Sequence, residues 1–579
     1  MTNRTFPEAF QQTAATYPDA VALRTPGDAV SYTWREYADA VRRIAGGFAE
    51  LGVRHGDTVA AMLANRPEFH LQEAAASHLG ATTFSIYNTS SVDQVRYLLE
   101  HSGAKVVITE RQFLDTVEAA RGTVEHILVI EDGDLDRLEP SAGFDFEAAW
   151  KAVEPDDVLC LIYTSGTTGP PKGVEHTHRT MFANIETLLT VCPSQPGDRV
   201  LSYLPAAHIA DRALSQYIPI STGVQVTCLD DFTQLAAALA DTQPTGWAAV
   251  PRIWQKLKSG IEAKLANDVT GVKQKLAYWA IGTGVKRAEL RLSGKPVPGL
   301  LEAQYKVADA LLLSKLRAGM GLGNLRWALT GGAATPPADR AYMMGIGLPI
   351  CEGWGMSEYA VGACTTLDEV RYGSIGKFLP GVEGKLAEDG EILVRGAGLM
   401  RGYRNDPEKT AEAIADGWLR TGDIATMDDE GYLTIVDRKK DLIINAGGKN
   451  MSPANIEGAI VPNSRLIGTV IAIGEGAPYN VALIVLEPEA AAEFAEQHGL
   501  DADPAVLAED ERVRAAVQEA VDAGNAKLSR VEQVKKFAIL PTYWEPGTDV
   551  LTPTMKVKRK PVSVKYAAEI AALYAGGQG

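Results

Sequence analysis

The run from Tyr163 to Gly173, Tyr-Thr-Ser-Gly-Thr-Thr-Gly-Pro-Pro-Lys-Gly, has the residue types needed to hold a polyphosphate. Its glycines let the backbone turn tightly and direct amide N–H groups inward, and Lys172 adds a mobile cation. A flexible surface loop is the alternative, but the repeated hydroxyl–glycine steps before Pro-Pro-Lys-Gly argue against it. The spacing excludes a P-loop NTPase, because Pro171 and Gly173 stand where that motif requires glycine and a hydroxyl residue. The candidate phosphate ligands are Thr164, Ser165, Gly166, Thr167, Thr168, Gly169 and Lys172.

Three histidines are further candidates for chemistry. His208 follows the strand-like run Leu-Ser-Tyr-Leu-Pro, although a single histidine is more often structural than catalytic. His176 and His178 stand two residues apart, which is compatible with a metal site. No third ligand lies near them in the sequence, so the sequence argues against that interpretation.

The elements that must position these residues alternate between short apolar runs and amphipathic helical stretches. Residues 105–110, 126–131, 158–163 and 247–250 are apolar without polar alternation, which predicts strands covered on both faces. Residues 34–51 carry helical periodicity and end at Gly52. The sequence therefore predicts an α/β fold, with a large multi-layered N-terminal domain of buried sheets and helices.

The pattern changes after about residue 384. A hairpin is predicted around Asp389-Gly390, and strand patterns continue to Arg438. Beyond it, two strands precede acidic helices near 489–497 and 504–522. We place a boundary at Asp437–Lys440, which predicts domains at 1–437 and 438–579, the second a small α+β domain.

Composition excludes several classes of protein. The chain has 56 Lys/Arg against 73 Asp/Glu, so a broad cationic surface for nucleic acid is not expected. Its five cysteines are scattered without a C-x-x-C pair, which is typical of a reducing compartment and argues against a zinc site. No secretory signal or run of about 18 apolar residues is present, and a cytoplasmic location is expected.

Residues 252–317 depart from this charge balance, with 13 Lys/Arg and five Asp/Glu. A solvated helical face explains such a segment most simply. The alternative is a cationic amphipathic surface that contacts an anionic membrane, where apolar substrates reside.

Taken together, the motifs resemble those of the adenylate-forming superfamily of acyl-CoA synthetases, luciferases and adenylation domains. The phosphate loop matches that family's T-S-G-T-T-G-x-P-K-G signature. Further matches follow in the family order and cover most of the chain: Leu204–His208, Gly331–Pro336, Gly353–Glu358, Thr421–Asp423, Asp437–Leu442 and Thr552–Lys556.

The resemblance implies a nucleotide site. Trp354 offers a flat face to adenine, with Gly331, Gly332 and Ala333 on the adenine side. The segment Gly355, Met356 and Ser357 would approach the α-phosphate, and Glu358 would bind Mg²⁺, which usually takes one or two protein carboxylates. Asp423 would accept from the ribose hydroxyls.

The resemblance also assigns the remaining roles. His208 would contact the acyl site and Arg438 the ribose or phosphate. Lys440 would be the hinge of a mobile C-terminal domain, and Lys556 the catalytic lysine. Gly447, Gly448 and Lys449 would border a tunnel for coenzyme A. The neighbours of Lys556 at 558–560 could instead form a solvated basic tail.

The implied activity uses ATP, Mg²⁺ and coenzyme A to convert a fatty acid to its acyl-CoA through an acyl-AMP. The Thr-Pro-Thr-Met-Lys form resembles long-chain members of the family. Some of those place a gate tryptophan four residues after the histidine, where this chain has Arg212. Two alternatives stay open: an acyl-AMP ligase that serves a carrier protein, and a catalytically silent lipid-binding protein.

Overall fold

The computed structural model describes residues 4–164, 170–267, 270–446, 449–545, 547–552 and 556–575. The chain divides into two compact units. The first unit comprises Met1–Lys385, Leu393–Thr421 and Met427–Thr434, and the second comprises Leu386–Ile392, Gly422–Thr426 and Ile435–Gly579.

The described strands are numbered here in chain order. They are β1 Val21–Arg24, β2 Ser31–Thr33, β3 Thr58–Met62, β4 Thr82–Ser85, β5 Ala104–Thr109, β6 His126–Val129, β7 Val158–Thr164, β8 Lys172–Thr177, β9 Arg199–Ser202, β10 Gln225–Cys228, β11 Gly246–Ala249, β12 Trp327–Thr330 and β13 Ile350–Met356. They continue as β14 Tyr359–Cys364, β15 Lys377–Phe378, β16 Glu383–Leu386, β17 Glu391–Arg395, β18 Gly402–Tyr403, β19 Ile414–Ala415, β20 Trp418–Met427, β21 Leu433–Arg438, β22 Ile443–Ile444, β23 Asn450–Met451, β24 Ile467–Ile473, β25 Asn480–Leu486 and β26 Val534–Ile539.

The phosphate loop leaves a seven-stranded sheet of order β18-β8-β7-β4-β3-β5-β6 in the first unit. The pairs among β3 to β7 are parallel, whereas β8 runs antiparallel to β7 and to β18. All residues of β3 and β4 are buried, as expected for strands covered on both faces. The predicted strands at 105–110, 126–131 and 158–163 correspond to β5, β6 and β7, which confirms the α/β class.

Two further sheets lie in the first unit. One has the order β11-β12-β13-β14-β15, with β11, β12 and β13 parallel and the last two strands antiparallel to their neighbours. The other has the order β2-β1-β10-β9. The five-stranded sheet carries the residues predicted to bind adenine.

Helices cover these sheets. The predicted helix at 34–51 is Trp34–Glu50, which begins with a capping box between Thr33 and Glu36 and buries its apolar face. The helices of the first unit are Phe6–Thr16, Trp34–Glu50, Pro67–His78, Val92–Ser102, Leu114–Ala119, Phe146–Lys151, His178–Leu189, Ile209–Asp211, Ile218–Thr222, Leu235–Thr242, Pro251–Asn267, Gly271–Leu292, Gly299–Ala308, Ser314–Gly319, Pro337–Gly345 and Pro407–Ala413. Within the described ranges, no helix is both long and apolar enough to cross a bilayer.

The second unit has its own core around the three-stranded sheet β24-β25-β26. All seven residues of β25 are buried. Its helices are Pro453–Ile460, Pro488–His498, Pro504–Glu509, Glu511–Asn525, Arg559–Lys565 and Ala567–Ala575. The prediction of a single helix over 504–522 is wrong, because two helices, Pro504–Glu509 and Glu511–Asn525, occupy this range. Asp510 is extended there, and its carboxylate accepts from the N–H groups of Arg512 and Val513, so it caps a new helix.

Candidate active site

Both ends of the phosphate loop are held by a β-hairpin. Thr164 ends β7 and Lys172 begins β8, and the two residues are directly paired across the antiparallel strands. Gly173 lies against the Tyr163 ring, where a Cβ atom would come within 3.2 Å of the ring carbons. The hairpin therefore brings Thr164 and Lys172 together. The predicted phosphate ligands Ser165, Gly166, Thr167, Thr168 and Gly169 lie outside the described residues.

Lys172 and the predicted Mg²⁺ ligand Glu358 are joined through Tyr403, a residue that the sequence motifs did not indicate. The Lys172 ammonium lies 4.0 Å from the centroid of the Tyr403 ring. The Tyr403 hydroxyl donates to Glu358 Oε1 at 2.7 Å. Burial, with the adjacent Glu358 charge, raises the pKa of the Tyr403 phenol, so it stays protonated and donates at neutral pH.

The segment Gly353–Glu358 includes the end of β13, and β14 returns beside it. Trp354 is buried, and its ring packs against Gly362, where a Cβ would come within 2.4 Å of the indole. Gly355 likewise lies against the Ala360 carbonyl, at 2.1 Å from a Cβ position. Met356 ends β13, so the strand pair fixes the entry to Ser357 and Glu358. Close packing thus fixes the position of the Trp354 ring, and its role toward adenine stays a prediction.

His176 supports this segment from β8. Its Nε2 donates to the Ser357 carbonyl at 2.7 Å, and burial lowers the pKa of the imidazole to about 4. His178 Nδ1 accepts from the Phe6 N–H at 3.1 Å, and burial lowers its pKa to about 3. Both rings are neutral at physiological pH and form protein hydrogen bonds. Among the described residues, no group of three or more His, Cys, Asp or Glu side chains could hold a metal.

The small residues after β12 approach the same strand. A Cβ on Gly331 would come within 2.9 Å of the Gly353 carbonyl, so the two motifs predicted to border adenine are adjacent. Gly332 has φ +81°, which glycine adopts without strain. Ala333 is exposed.

His208 caps the helix that follows β9. Its Nδ1 accepts from the Ala210 N–H at 3.2 Å. The chain then forms the helical turn Ile209–Asp211 and a π-helical segment at Arg212–Tyr217. Such π-helical segments are often found at functional sites. The structure thus places His208 at a helix start, with a role at the acyl site still a prediction.

Arg212, at the position of the family's gate tryptophan, is a fully buried ion-pair residue. Its Nη2 donates to Glu73 Oε1 and to Thr83 Oγ1, each at 2.6 Å. The Tyr217 hydroxyl donates to the same Glu73 oxygen at 2.6 Å. Burial by itself would lower the pKa of Arg212, but Glu73, Tyr217 and Cys160 together outweigh it and hold the pKa above its ordinary value. Nothing at this position acts as an aromatic gate.

Asp211, the residue before Arg212, is buried, and the charges of Glu73 and Arg212 act on it in opposite directions. Its carboxylate accepts from Ser215 Oγ at 2.8 Å and from Ser202 Oγ at 3.2 Å. Burial raises the pKa of Asp211 to about 7, and these hydroxyls only partly oppose the shift. The helix after His208 therefore carries a carboxyl group that titrates near neutrality.

The second unit brings Lys556 close to three predicted residues that lie more than 100 positions earlier in the sequence. Arg438 Nε lies 2.6 Å from Asp423 Oδ1. The Lys556 ammonium is crowded by protein atoms although the residue reaches the surface, and this desolvation lowers its pKa. The positive charges of Arg438 and Lys440 lower it further, whereas Asp423 opposes them. The predicted ribose ligand, hinge and catalytic lysine therefore share one electrostatic environment.

The other predicted residues of the second unit are only partly described. Gly447 and Gly448 lie outside the described residues, and Lys449 is exposed, with its N–H donating to Asn445 Oδ1 at 3.0 Å. The alternative prediction, that residues 558–560 form a solvated basic tail, is wrong for Lys558 and Arg559. Arg559 forms a two-point ion pair with the partly buried Glu457 at 2.8 and 2.7 Å, and Lys558 Nζ donates to the Thr548 carbonyl at 2.8 Å.

Comparison with known proteins identifies the family. The family model described as AMP-binding enzyme matches residues 10–404, and the model of the AMP-binding enzyme C-terminal domain matches residues 440–578. The chain belongs to the AMP-binding enzyme family. The resemblance stated from the motifs is therefore confirmed.

Two relatives and one solved structure show which AMP-binding enzymes this chain is similar to. It is 52% identical to the fatty-acid–CoA ligase fadD11 of Mycobacterium tuberculosis over 75% of this chain and 76% of the relative. It is 37% identical to the long-chain-fatty-acid–CoA ligase FadD15 of Mycobacterium bovis over 96% and 95%. The solved fatty acyl CoA synthetase of Mycobacterium tuberculosis shares the fold, with TM-score 0.64 and 24% identity over 98% and 99%.

Proposed function

We propose that this AMP-binding enzyme is a fatty acid–CoA ligase, with long-chain acids as its substrates. It uses ATP to form an acyl-AMP and then transfers the acyl group to coenzyme A. The clustering of Lys556, Asp423 and Arg438 in the second unit carries the proposal, because it provides a desolvated cation beside a ribose-binding carboxylate. The names of the relatives supply the substrate class.

In the first half-reaction, a carboxylate oxygen of the acid attacks the α-phosphorus of ATP. The new O–P bond forms as the bond to pyrophosphate breaks, and the electron pair leaves with pyrophosphate. Lys172 and the phosphate loop hold the phosphates, and Trp354 with Gly331–Ala333 orients adenine. Asp423 accepts from the ribose hydroxyls, and Lys556 offsets the negative charge at the α-phosphate. Catalysis of this kind is mainly positioning and electrostatic stabilisation.

In the second half-reaction, the coenzyme A sulfur attacks the acyl carbonyl carbon and AMP leaves with the electron pair of the C–O bond. We propose that residues 438–579 act as a mobile domain that turns about Lys440 between the two steps, removing Lys556 and presenting Gly447–Lys449 to coenzyme A. His208 would contact the acyl group. A conformational step is expected where one site serves two different reactions.

Glu358 fits the role of a Mg²⁺ ligand. It is a buried carboxylate, near the lysine that ends the phosphate loop, and one of its oxygens accepts from Tyr403. Mg²⁺ commonly takes one or two protein carboxylates together with phosphate oxygens and water, so a site without a cluster of protein ligands is compatible with it. When bound, the ion would neutralise charge on the phosphates of ATP.

A panel of saturated fatty acids, assayed with and without coenzyme A, tests the function. We expect pyrophosphate release with ATP and acid alone, and rapid AMP release only when coenzyme A is added. Each buried CH₂ contributes about 0.8 kcal/mol, so kcat/KM should rise with chain length. Acyl-AMP that persists with coenzyme A present would indicate the acyl-AMP ligase, and no pyrophosphate release would indicate the silent lipid-binding protein. A flat chain-length profile would exclude the long-chain assignment.

We further propose a peripheral contact of residues 252–317 with an anionic membrane. The helix Gly271–Leu292 exposes Val272, Leu276 and Trp279, which follow helical spacing on one face, and Val272 is 82% exposed. Lys273 and Lys275 flank this face and are exposed. Apolar side chains bordered by lysines suit the interface of an anionic bilayer.

Vesicle sedimentation tests this contact. We expect salt-sensitive binding to vesicles with anionic lipid and none to neutral vesicles, with binding reduced in the K273E/K275E double variant. Lys258→Glu is unsuitable because Lys258 donates to Asp339 at 2.9 Å inside the fold. Equal binding to neutral and anionic vesicles, or none at low salt, would leave these helices as a solvated face.

A further inference from the structure

The short strand β18 connects the phosphate-loop hairpin to Glu358. Gly402 and Tyr403 pair with Glu175 and Val174 of β8. The Arg404 N–H donates to the Gly173 carbonyl at 2.7 Å, one residue beyond Lys172. At the other end, the Met400 N–H donates to the backbone carbonyl of Glu358 at 3.0 Å. Backbone hydrogen bonds thus fix Tyr403 relative to both motifs.

The Tyr403 side chain then makes a different contact with each motif. Its ring face lies under the Lys172 ammonium at 4.0 Å, and its hydroxyl donates to Glu358 Oε1 at 2.7 Å. The first contact orients a cation through the ring quadrupole, and the second is a charge-assisted hydrogen bond that fixes one carboxylate oxygen.

We infer that Tyr403 is a positioning residue that aligns Lys172 and Glu358 for the metal–nucleotide substrate. This inference rests on the proposed function, in which the lysine holds phosphates and the carboxylate holds Mg²⁺. Without the Tyr403 hydroxyl, Glu358 would lose the hydrogen bond that orients it, while Lys172 would keep its contact with the aromatic ring. Without the ring, both would lose their support. The two contacts therefore predict separable defects.

The first test measures nucleotide binding by calorimetry with the intact protein, so it needs no turnover. ATP is titrated with excess Mg²⁺ and, separately, with EDTA, into the wild type, Tyr403→Phe, Tyr403→Leu and Glu358→Gln. We expect Tyr403→Phe to weaken binding of Mg·ATP at least about tenfold, the size of one lost charge-assisted hydrogen bond, with ATP in EDTA bound as by the wild type. Tyr403→Leu should weaken binding in both solutions.

The second test separates the half-reactions. Tyr403→Phe should lower kcat for adenylation and raise the Mg²⁺ concentration needed for half-maximal rate, as Glu358→Gln does. Release of AMP from supplied acyl-AMP and coenzyme A should stay within twofold of wild type. Tyr37→Phe is the matched control, because Tyr37 is buried and its hydroxyl donates a single bond to the His70 carbonyl at 2.9 Å. Its Mg²⁺ dependence should equal that of wild type.

Two results would overturn the positioning role. One is a Tyr403→Phe protein whose Mg·ATP affinity equals that of wild type. The other is equal loss in both half-reactions, which a general structural defect would produce. Failure of the proposed function is distinguishable from both, since it appears as a wild-type protein that releases no pyrophosphate, while the calorimetric comparison still decides whether Tyr403 aligns the Mg·ATP site.

Discussion

Removing the cation of the Arg212–Glu73 pair should destabilise the first unit strongly. The two side chains are 0% and 1% exposed, so Arg212→Met leaves a buried carboxylate whose remaining partner is the Tyr217 hydroxyl. Breaking a fully buried pair from one side costs about 3–5 kcal/mol. In contrast, the double variant with Glu73→Leu removes both charges and should recover most of that loss, because apolar replacement of a whole buried pair is often neutral.

Urea unfolding followed by tryptophan fluorescence measures this effect, since eight of the nine tryptophans lie in the first unit. The exposed pair Arg179–Asp156 supplies the control, and Arg179→Met should change the midpoint far less. A loss under about 1 kcal/mol, or no recovery in the double variant, would refute the reasoning.

Four further predictions concern Lys556, Asp423 and Asp211. Lys556→Ala should abolish pyrophosphate release yet leave AMP release from supplied acyl-AMP nearly unchanged; equal loss in both assays would contradict a role confined to adenylation. The pKa of Lys556 is lowered, so this lysine should lose its proton at a pH below the ordinary lysine pKa. The adenylation rate of the wild type should fall as pH rises through that lowered pKa. A rate that rises over that range would contradict a catalytic role for the charged lysine. Asp423→Asn should raise KM for ATP by about tenfold or more through weaker ribose bonds, with 2′,3′-dideoxy-ATP affected little, and an equal change for both nucleotides would exclude ribose contact. Asp211 has a folded pKa of about 7, above its unfolded value, so its stabilising contribution is full below about pH 4 and lost as pH rises through about 7. The Asp211→Asn variant should therefore show a flatter dependence of the unfolding free energy on pH between these two values. An unchanged slope would contradict the assignment.

Local patterns predicted the elements well. Apolar runs without alternation gave β5, β6 and β7. Helical periodicity that ends at Gly52 gave the helix Trp34–Glu50. Each of these features depends on neighbours within a few residues, which a single sequence displays directly.

Long-range partners were not predictable in this way. Tyr403 lies 45 residues from Glu358, and Arg212 lies 139 residues from Glu73, so no periodicity relates the members of either pair. Tyr403 follows Arg-Gly in a stretch whose pattern alone indicates a turn. At Arg212 the sequence shows only that the gate tryptophan of some family members is replaced. The carboxylate that pairs with the buried arginine is brought close only by the tertiary fold. The break at Asp510 was missed because apolar spacing continues through it.

The makeup of the second unit has a practical consequence for anyone who expresses the C-terminal region alone. Lys439 Nζ contacts Asp389 Oδ2 at 2.6 Å and Glu391 Oε2 at 3.0 Å, and Glu391 Oε1 accepts from the Gly422 N–H at 2.9 Å. A gene fragment that starts at residue 438 would encode the lysine without the acids that it contacts. It would also omit Asp423, the acceptor of Arg438. The second unit also includes residues 386–392 and 422–426, so a continuous fragment that starts at residue 438 does not contain the whole unit.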